Sequence, residues 1–353
     1  MQKDYQNPRP FAVIGGRGSE SFAEEIARTS HIESIDRHIE TFPNGEIGVE
    51  IKQSVRGAEV YVIQTFIPTK INDGVMELLL LADAIKRAGA EKIYAVLRIY
   101  PYARQDRRET NKKNRHKRRP ISARLIADLI SLKFDGIIAL DLHLEAIEGF
   151  FKGIVVENII PLGLFTNYLR ENQIIRKNYK DNAEPVLVAP DSGSGKKVAD
   201  YAENLGLSYA VVNKVRVDSK NVVVKSVIGE VSGRPCIIID DITATGGTLI
   251  QAQKALIERG ATDVYAMVTH LEARTMDDLA KLAAAGFKKI VVTDSISVPE
   301  NLGKYPVFEV LPLAAMVGKV IKNVYECTSL QPVVYDESEG HGLNNHSVEN
   351  TLH

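Results

Sequence analysis

Asp240 and Asp241 stand side by side at the end of an apolar, β-branched run, residues 236–239. They are followed by Thr243-Ala244-Thr245-Gly246-Gly247-Thr248 and a helical pattern from Leu249. Such a run predicts a buried strand that delivers both carboxylates to the carboxyl edge of a sheet. The small-residue loop then sets backbone N–H groups at a helix start, where amides and helix dipole together favour an anion such as a phosphate. Two carboxylates beside that loop suit vicinal hydroxyls or a metal-bound ligand. The chemistry implied is that of a site for a phosphorylated sugar.

Four further groupings sit at predicted strand ends. Residues 98–108 read Arg-Ile-Tyr-Pro-Tyr-Ala-Arg-Gln-Asp-Arg-Arg. Their guanidinium forks, Arg104 among them, suit a polyphosphate, with Gln105 beside them and tyrosines that can stack on a base. Asp141-Leu142-His143-Leu144-Glu145 sets an imidazole between carboxylates, suited to a divalent cation or a phosphate. Residues 189–195, Ala-Pro-Asp-Ser-Gly-Ser-Gly, precede Lys196 and Lys197 and repeat the strand–small loop–helix anion site, with Asp191 available to a metal. In Asn213-Lys214-Val215-Arg216, two cations two residues apart on extended backbone point the same way. On a mobile loop, Lys214 and Arg216 could close over a reacting phosphate. Singly, each grouping also reads as a solvated charged segment or a structural histidine; the combination carries the chemistry.

The elements that must position these groups alternate along nearly the whole chain. Strand-like runs fall at 11–15, 59–64, 92–97, 136–140, 185–189, 209–212, 235–239, 263–269 and 289–293. Helical spacing falls at 21–29, 74–88, 122–132, 195–205, 248–259, 276–285 and 314–324. This predicts an α/β fold of two similar domains, each a mainly parallel sheet flanked by helices, with ligands beyond the carboxyl ends of the strands. The boundary is placed near residues 155–161, giving domains over 1–157 and 158–335. The polar tail 336–353 is expected to be disordered. The 353 residues carry a net charge of −1, no Trp and two Cys. That balance argues against general nucleic-acid binding. Two cysteines give no disulfide framework or zinc spacing, which favours a reducing, cytoplasmic setting. No apolar run approaches a membrane span.

The 236–248 segment resembles the 5-phosphoribosyl-diphosphate (PRPP) binding motif shared by phosphoribosyltransferases and PRPP synthetases. The remaining strings separate the two. Tyr-Ala-Arg-Gln-Asp-Arg, Asp-Leu-His followed by Gly-Phe-Phe, Pro-Asp-x-Gly, Lys-x-Arg and Asp-Asp-x-x-x-Thr-Gly-Gly-Thr occur in the order and approximate spacing of the PRPP synthetase (ribose-phosphate diphosphokinase) family. Phe42-Pro43-Asn44-Gly45-Glu46 and Arg56-Gly57 also look like that family's N-terminal segment. The resemblance covers about residues 10–325.

It implies Mg²⁺-dependent transfer of the diphosphoryl group of ATP to the C1 hydroxyl of ribose 5-phosphate, giving PRPP and AMP for nucleotide biosynthesis. By resemblance, residues 243–248 would cradle the 5-phosphate and Asp240 and Asp241 would hold ribose hydroxyls. His143 and Asp191 would bind the magnesium, and Arg104 and Gln105 would contact ATP. Lys214 and Arg216 would stabilise the transferring group. Phe42, Asn44 and Glu46 would meet adenine across a subunit boundary. A homo-oligomer, dimer or hexamer, and regulation by ADP or phosphate are family properties. The alternatives are a non-catalytic subunit that regulates a true synthetase, and a phosphoribosyltransferase. Asn44 and Ala244 stand where Asp is common, Glu148 where Gln is usual and Ser194 where Gly is common. The basic stretch 107–119 is longer than expected. It reads foremost as a solvated insertion, otherwise as an extended clamp or a site for an anionic effector or nucleic acid.

Overall fold

The computed structural model describes residues 10–108, 118–176, 179, 184–216, 222–273 and 275–335, with 214–216, 222–225 and 335 as backbone only. The expected disordered tail and most of the basic stretch, 109–117, lie outside these residues. The first half builds β1 (Phe11–Gly15), α1 (Glu20–Ser30), β2 (Glu33–Ser34), β3 (Arg37–Thr41), β4 (Ile47–Ile51), β5 (Glu59–Gln64), α2 (Ile71–Arg87), β6 (Lys92–Leu97), α3 (Ser122–Ser131), β7 (Gly136–Leu140) and β8 (Val155–Ile159). Six of these strands form a parallel sheet ordered β2-β1-β5-β6-β7-β8, while β3 and β4 pair as a separate antiparallel ribbon. After α4 (Leu162–Glu171), the second half builds β9 (Val186–Ala189), α5 (Gly195–Leu205), β10 (Ser208–Arg216), β11 (Val222–Ile228), β12 (Cys236–Thr243), α6 (Gly247–Glu258), β13 (Val264–Leu271), α7 (Met276–Ala283), β14 (Lys289–Thr293), β15 (Phe308–Leu311), α8 (Ala314–Glu326) and α9 (Gln331–Tyr335). Its sheet runs β11-β10-β9-β12-β13-β14-β15, parallel except for the β10–β11 hairpin.

Continuous burial along β5, β7 and β9 shows that helices cover both faces of each sheet, as all-parallel strands require. The two-residue alternation of strands sorts the cores. Val60 and Val62 face α2 and α3, whereas Tyr61 and Ile63 face α1. In the second sheet Val186, Val188 and Ile238 face α6 and α7, whereas Leu187, Ile237 and Ile239 face α4 and α5. One helix breaks the partition. The last long helix, α8, returns to the first half, where Leu313, Met316, Val317, Val320 and Ile321 pack with Phe22 and Ile26. The expected boundary after residue 157 lies inside β8, which pairs with β7 through residue 159. We propose that the two units meet just beyond it, at Ile160-Pro161.

The sheets meet carboxyl end to carboxyl end. Thr65 Oγ1, after β5, donates to the Ser295 carbonyl at 3.3 Å, and the Arg98 guanidinium, after β6, donates to the Asp294 carbonyl. His270, on β13, lies 3.2 Å through Nε2 from the carbonyl of Leu140, the last residue of β7, and 2.8 Å through Nδ1 from Ser295 Oγ. A carbonyl at Nε2 calls for a proton there, while the Ser295 hydroxyl that faces Nδ1 also donates to the Thr269 carbonyl at 2.8 Å. Burial, outweighing nearby Asp141 and Asp241, holds His270 below its ordinary 6.5. As pH falls below that value, the unfolded chain takes up a proton that folded His270 refuses, so stability is lost. Between about pH 7 and about pH 5, the thermal midpoint of the wild type should therefore fall further than that of His270→Gln. Parallel curves for the two proteins would remove this role.

Each sheet has one point where strand order reverses, the place where α/β folds open a crevice. In the first sheet it lies between β1 and β5, and the chain fills it. Glu77, buried on α2, accepts the Arg17 backbone N–H at 2.7 Å and also pairs with the Arg17 guanidinium. A carboxylate of the protein thus occupies the anion-binding turn that follows β1. In the second sheet the reversal lies between β9 and β12, where Asp191, Asp240 and Asp241 emerge.

Candidate active site

The central contact joins the halves: His143 Nδ1 lies 2.8 Å from Asp241 Oδ2. His143 follows β7 of the first sheet, and Asp241 belongs to β12 of the second. The sequence set His143 between Asp141 and Glu145, but neither is its partner. Asp141 is 3 % exposed and holds a left-handed backbone at φ 45°. Its carboxylate receives the Lys197 ammonium from α5 and the Thr269 hydroxyl from β13. Glu145 turns outward, 3.9 Å from Lys196. Asp141 is thereby a strut, and its inverted backbone starts the turn that carries His143 towards β12. A left-handed non-glycine residue costs on the order of 1 kcal/mol or more, which the buried bonds to Lys197 and Thr269 offset.

The two aspartates of β12 divide the charge. The Asp241 backbone N–H donates to Asp240 Oδ1 at 3.1 Å. Burial first, and then the neighbouring charges of Asp241 and Asp191, push Asp240 well above the usual carboxylate range. Burial opposes ionisation of Asp241 too, but the His143 hydrogen bond and the charges of His143 and Lys197 prevail and hold it below its ordinary value. His143 is raised, chiefly by its bond to Asp241. The two carboxyl groups are thus pushed in opposite directions, Asp240 towards its protonated form and Asp241 towards its ionised form.

Beyond the pair, Thr243 ends β12 as a buried strand residue, and Ala244, Thr245 and Gly246 make the turn into α6. Gly246 has φ +74°, and a Cβ there would lie 2.5 Å from the Leu282 side chain. Only glycine meets both demands, so helix α7 itself presses the turn into shape. Gly247 and Thr248 begin α6, whose N-terminus faces the turn. On the other flank, Asp191 Oδ1 accepts the backbone N–H groups of Gly193 at 2.8 Å and Ser194 at 3.4 Å.

A cleft of about 540 Å³ opens beside the loop, between the halves. Apolar and aromatic residues, including Phe66, Tyr100 and Tyr102, form its floor, and Arg104, Gln105, Ala244 and Glu272 line it as well. Arg104 reaches Glu272 at 3.7 Å, and Gln105 Oε1 accepts from Ser122 Oγ at 2.7 Å. The other arginines of residues 98–108 separate from this pair. Arg98 is buried beneath the interface with its guanidinium 3.9 Å above the Phe22 ring, lowered by burial to about 10, so it is no part of a phosphate clamp. Arg107 pairs with neighbouring Asp106 at 2.8 Å.

Phe42, Asn44 and Glu46 do not line the cleft. They form the tip of the β3–β4 ribbon, where the Phe42 N–H donates to the Glu46 carbonyl at 2.8 Å and the Glu46 N–H to Asn44 Oδ1 at 3.1 Å, leaving the Phe42 ring exposed. Lys214 and Arg216 lie not on a loop but in β10, paired with Val224 and Val222 of β11, immediately after a register shift between Asn213 and Lys214. Sequence reasoning named Lys197 only as opening the helix after residues 189–195, and it missed Thr269, His270 and Glu272 as parts of the site. Their places come from long-range packing, and no local pattern sets the last three apart from ordinary strand residues.

A site built on the carboxyl edge of a parallel sheet, with an acidic pair leading into a small-residue turn and a helix, defines a phosphoribosyl-type α/β protein. The model for the N-terminal domain of ribose phosphate pyrophosphokinase matches residues 11–132, and that for the phosphoribosyl transferase domain matches residues 170–303. The ribose-phosphate pyrophosphokinase of Aquifex aeolicus is 36% identical over 319 residues, which cover 90% of this chain and 97% of that protein. That of Mycobacterium tuberculosis is 37% identical over 333 residues, 92% and 96% of the two chains. The crystal structure of phosphoribosylpyrophosphate synthetase from Mycobacterium smegmatis superposes with a TM-score of 0.78 at 32% identity, covering 90% of this chain and all of that one. The chain belongs to the ribose-phosphate pyrophosphokinase family.

Proposed function

We infer that the chain is a ribose-phosphate diphosphokinase. It transfers the diphosphoryl group of ATP to the C1 hydroxyl of ribose 5-phosphate, giving PRPP and AMP for nucleotide biosynthesis. The observation that carries this reading is the 2.8 Å contact between His143 and Asp241. It sets the turn after β7 of the first half against β12 of the second, the strand that leads into residues 243–248.

In the proposed mechanism the loop amides of residues 243–248 hold the 5-phosphate at the N-terminus of α6. Asp240 and Asp241 fix the ribose hydroxyls, and Arg104 and Gln105 hold ATP. The C1 oxygen forms a bond to the β-phosphorus, the bond from that phosphorus to its α-bridging oxygen breaks, AMP leaves with that oxygen, and the C1 hydroxyl loses its proton. Positioning and charge neutralisation supply most of the acceleration in such a transfer. Lys214 and Arg216 are assigned to the transferring group. Phe42, Asn44 and Glu46, exposed at a ribbon tip, are assigned to the adenine of a neighbouring subunit, which makes the active form a homo-oligomer.

Among the described residues, no three His, Cys, Asp or Glu side chains gather closely enough to cage a metal ion. Magnesium commonly takes one or two protein ligands and completes its shell with substrate phosphates and water, so the site suits it. Asp191, oriented by two backbone N–H groups, and His143 through Nε2 would hold it. Its chemistry there is to neutralise the ATP phosphates. No helix among the described residues is long and apolar enough to cross a membrane. A cytoplasmic setting is proposed from the cysteine usage, two cysteines with Cys236 buried and Cys327 exposed. The test is AMP and PRPP formation from ATP and ribose 5-phosphate with Mg²⁺. Absence of ribose-5-phosphate-dependent AMP release from purified protein would end this reading.

A further inference from the structure

Among the described residues, the charges lining the 540 Å³ cleft are two: Arg104 from the first half and Glu272 from the second. They face each other at 3.7 Å. Glu272 follows β13, and its backbone N–H donates to the Thr243 carbonyl at 2.8 Å, which fixes it at the mouth of the sugar-phosphate turn, beside Ala244. A cleft meant simply to attract anions has no use for this carboxylate. It cancels the charge of Arg104 and repels any phosphate chain that enters.

We propose that Glu272 is a specificity-determining residue that disfavours metal-free polyphosphate and so selects the metal-complexed nucleotide. This inference rests on the function proposed above. Repulsion from a fixed charge scales with the charge of the ligand. Metal-free ATP carries about four negative charges near neutral pH, and its magnesium complex about two, so the penalty in free energy is about halved by the metal. Arg104 completes the device. It is held by Glu272 until a polyphosphate displaces the carboxylate, and a ligand whose own charge is partly neutralised does so against less repulsion. The pair is solvent-accessible, so salt screens the effect without abolishing it at this range.

Glu272→Gln removes the charge and keeps the side-chain length and the backbone bond to Thr243. Binding is measured by calorimetry at low salt, with ATP in chelator and with ATP in excess Mg²⁺, for wild type, Glu272→Gln and Glu272→Asp. Glu272→Gln should tighten metal-free ATP by about 10-fold and the magnesium complex by about 3-fold, the square root that half the charge implies. Metal-free tripolyphosphate should follow metal-free ATP. Glu272→Asp, still charged, should keep most of the wild-type discrimination. Equal tightening of both forms, no change, or weaker binding of both overturns the proposal and leaves the assigned function standing. Wild-type protein that binds neither form of ATP overturns both.

Discussion

Replacing Lys214 with Ala is expected to lower turnover by about two to three orders of magnitude while ribose 5-phosphate binding stays within about two-fold. The hairpin supplies the physical reason. β10 leaves the second sheet paired only with β9 and β11, so its outer half is supported by one antiparallel partner. The register shift between Asn213 and Lys214 breaks the ladder where the cations begin. Such irregularities bend a strand and re-aim the side chains beyond them, and they recur beside active sites. β9 separates β10 from β12 in the sheet, so a substitution in β10 lies one strand away from the strand that leads into the proposed 5-phosphate turn. A cation that meets charge developing only during transfer affects turnover and not ground-state binding. Steady-state kinetics paired with calorimetric binding of ribose 5-phosphate decides the matter. Unchanged turnover, or loss of binding in proportion, would remove Lys214 from the reaction.

The second large effect is expected at Asp241. Asp241→Asn preserves shape but removes the charge that His143 pairs with, and with it one cause of the raised Asp240. Asp240 then ionises more easily, because its neighbour is neutral. Affinity for ribose 5-phosphate should fall about 100-fold, the size expected when a charged hydrogen-bonding group is lost from a partly buried site. The interface struts Asp141, Lys197 and Thr269 are untouched, so the thermal midpoint should move little. Full retention of ribose 5-phosphate binding in the variant would show that the sugar is held elsewhere.

Most of the parallel strands and their helices were legible because β-branched runs alternate with helical spacing, although β2, β8, β15 and α4 were not read and Lys214 falls inside β10. The features that escaped the sequence did so for physical reasons. The ribbon β3–β4 rests one side on the first core through Ile39, Val49 and Ile51, but its signal is short: Ile47, Val49 and Ile51 alternate in β4, while β3 offers only Ile39 between His38 and Glu40. Strand β11 was not among the strand-like runs: Asp218, Ser219 and Asn221, residue types that disfavour regular structure, stand just before it in the sequence. The partner of His143 could not be read locally. Asp141 and Glu145 are its neighbours in sequence, yet Asp141 is turned away by a left-handed backbone and Asp241 arrives from the other sheet. Arg98 looked like its neighbouring arginines, and only burial against Phe22 and Asp294 separates it from Arg104.

Helix α8 has a consequence for how the molecule is made. The first half leaves the ribosome with one face of its sheet, Val13, Tyr61, Ile63 and Ile138, still uncovered on the side that residues 313–321 complete. Beyond what α1 covers, that surface stays wet until residues 313–321 have been synthesised and docked. The nascent N-terminal half is therefore expected to expose aggregation-prone apolar surface until then. The finished protein should also lose structure in both halves together, because peeling away its last long helix opens the first half's core at the same moment.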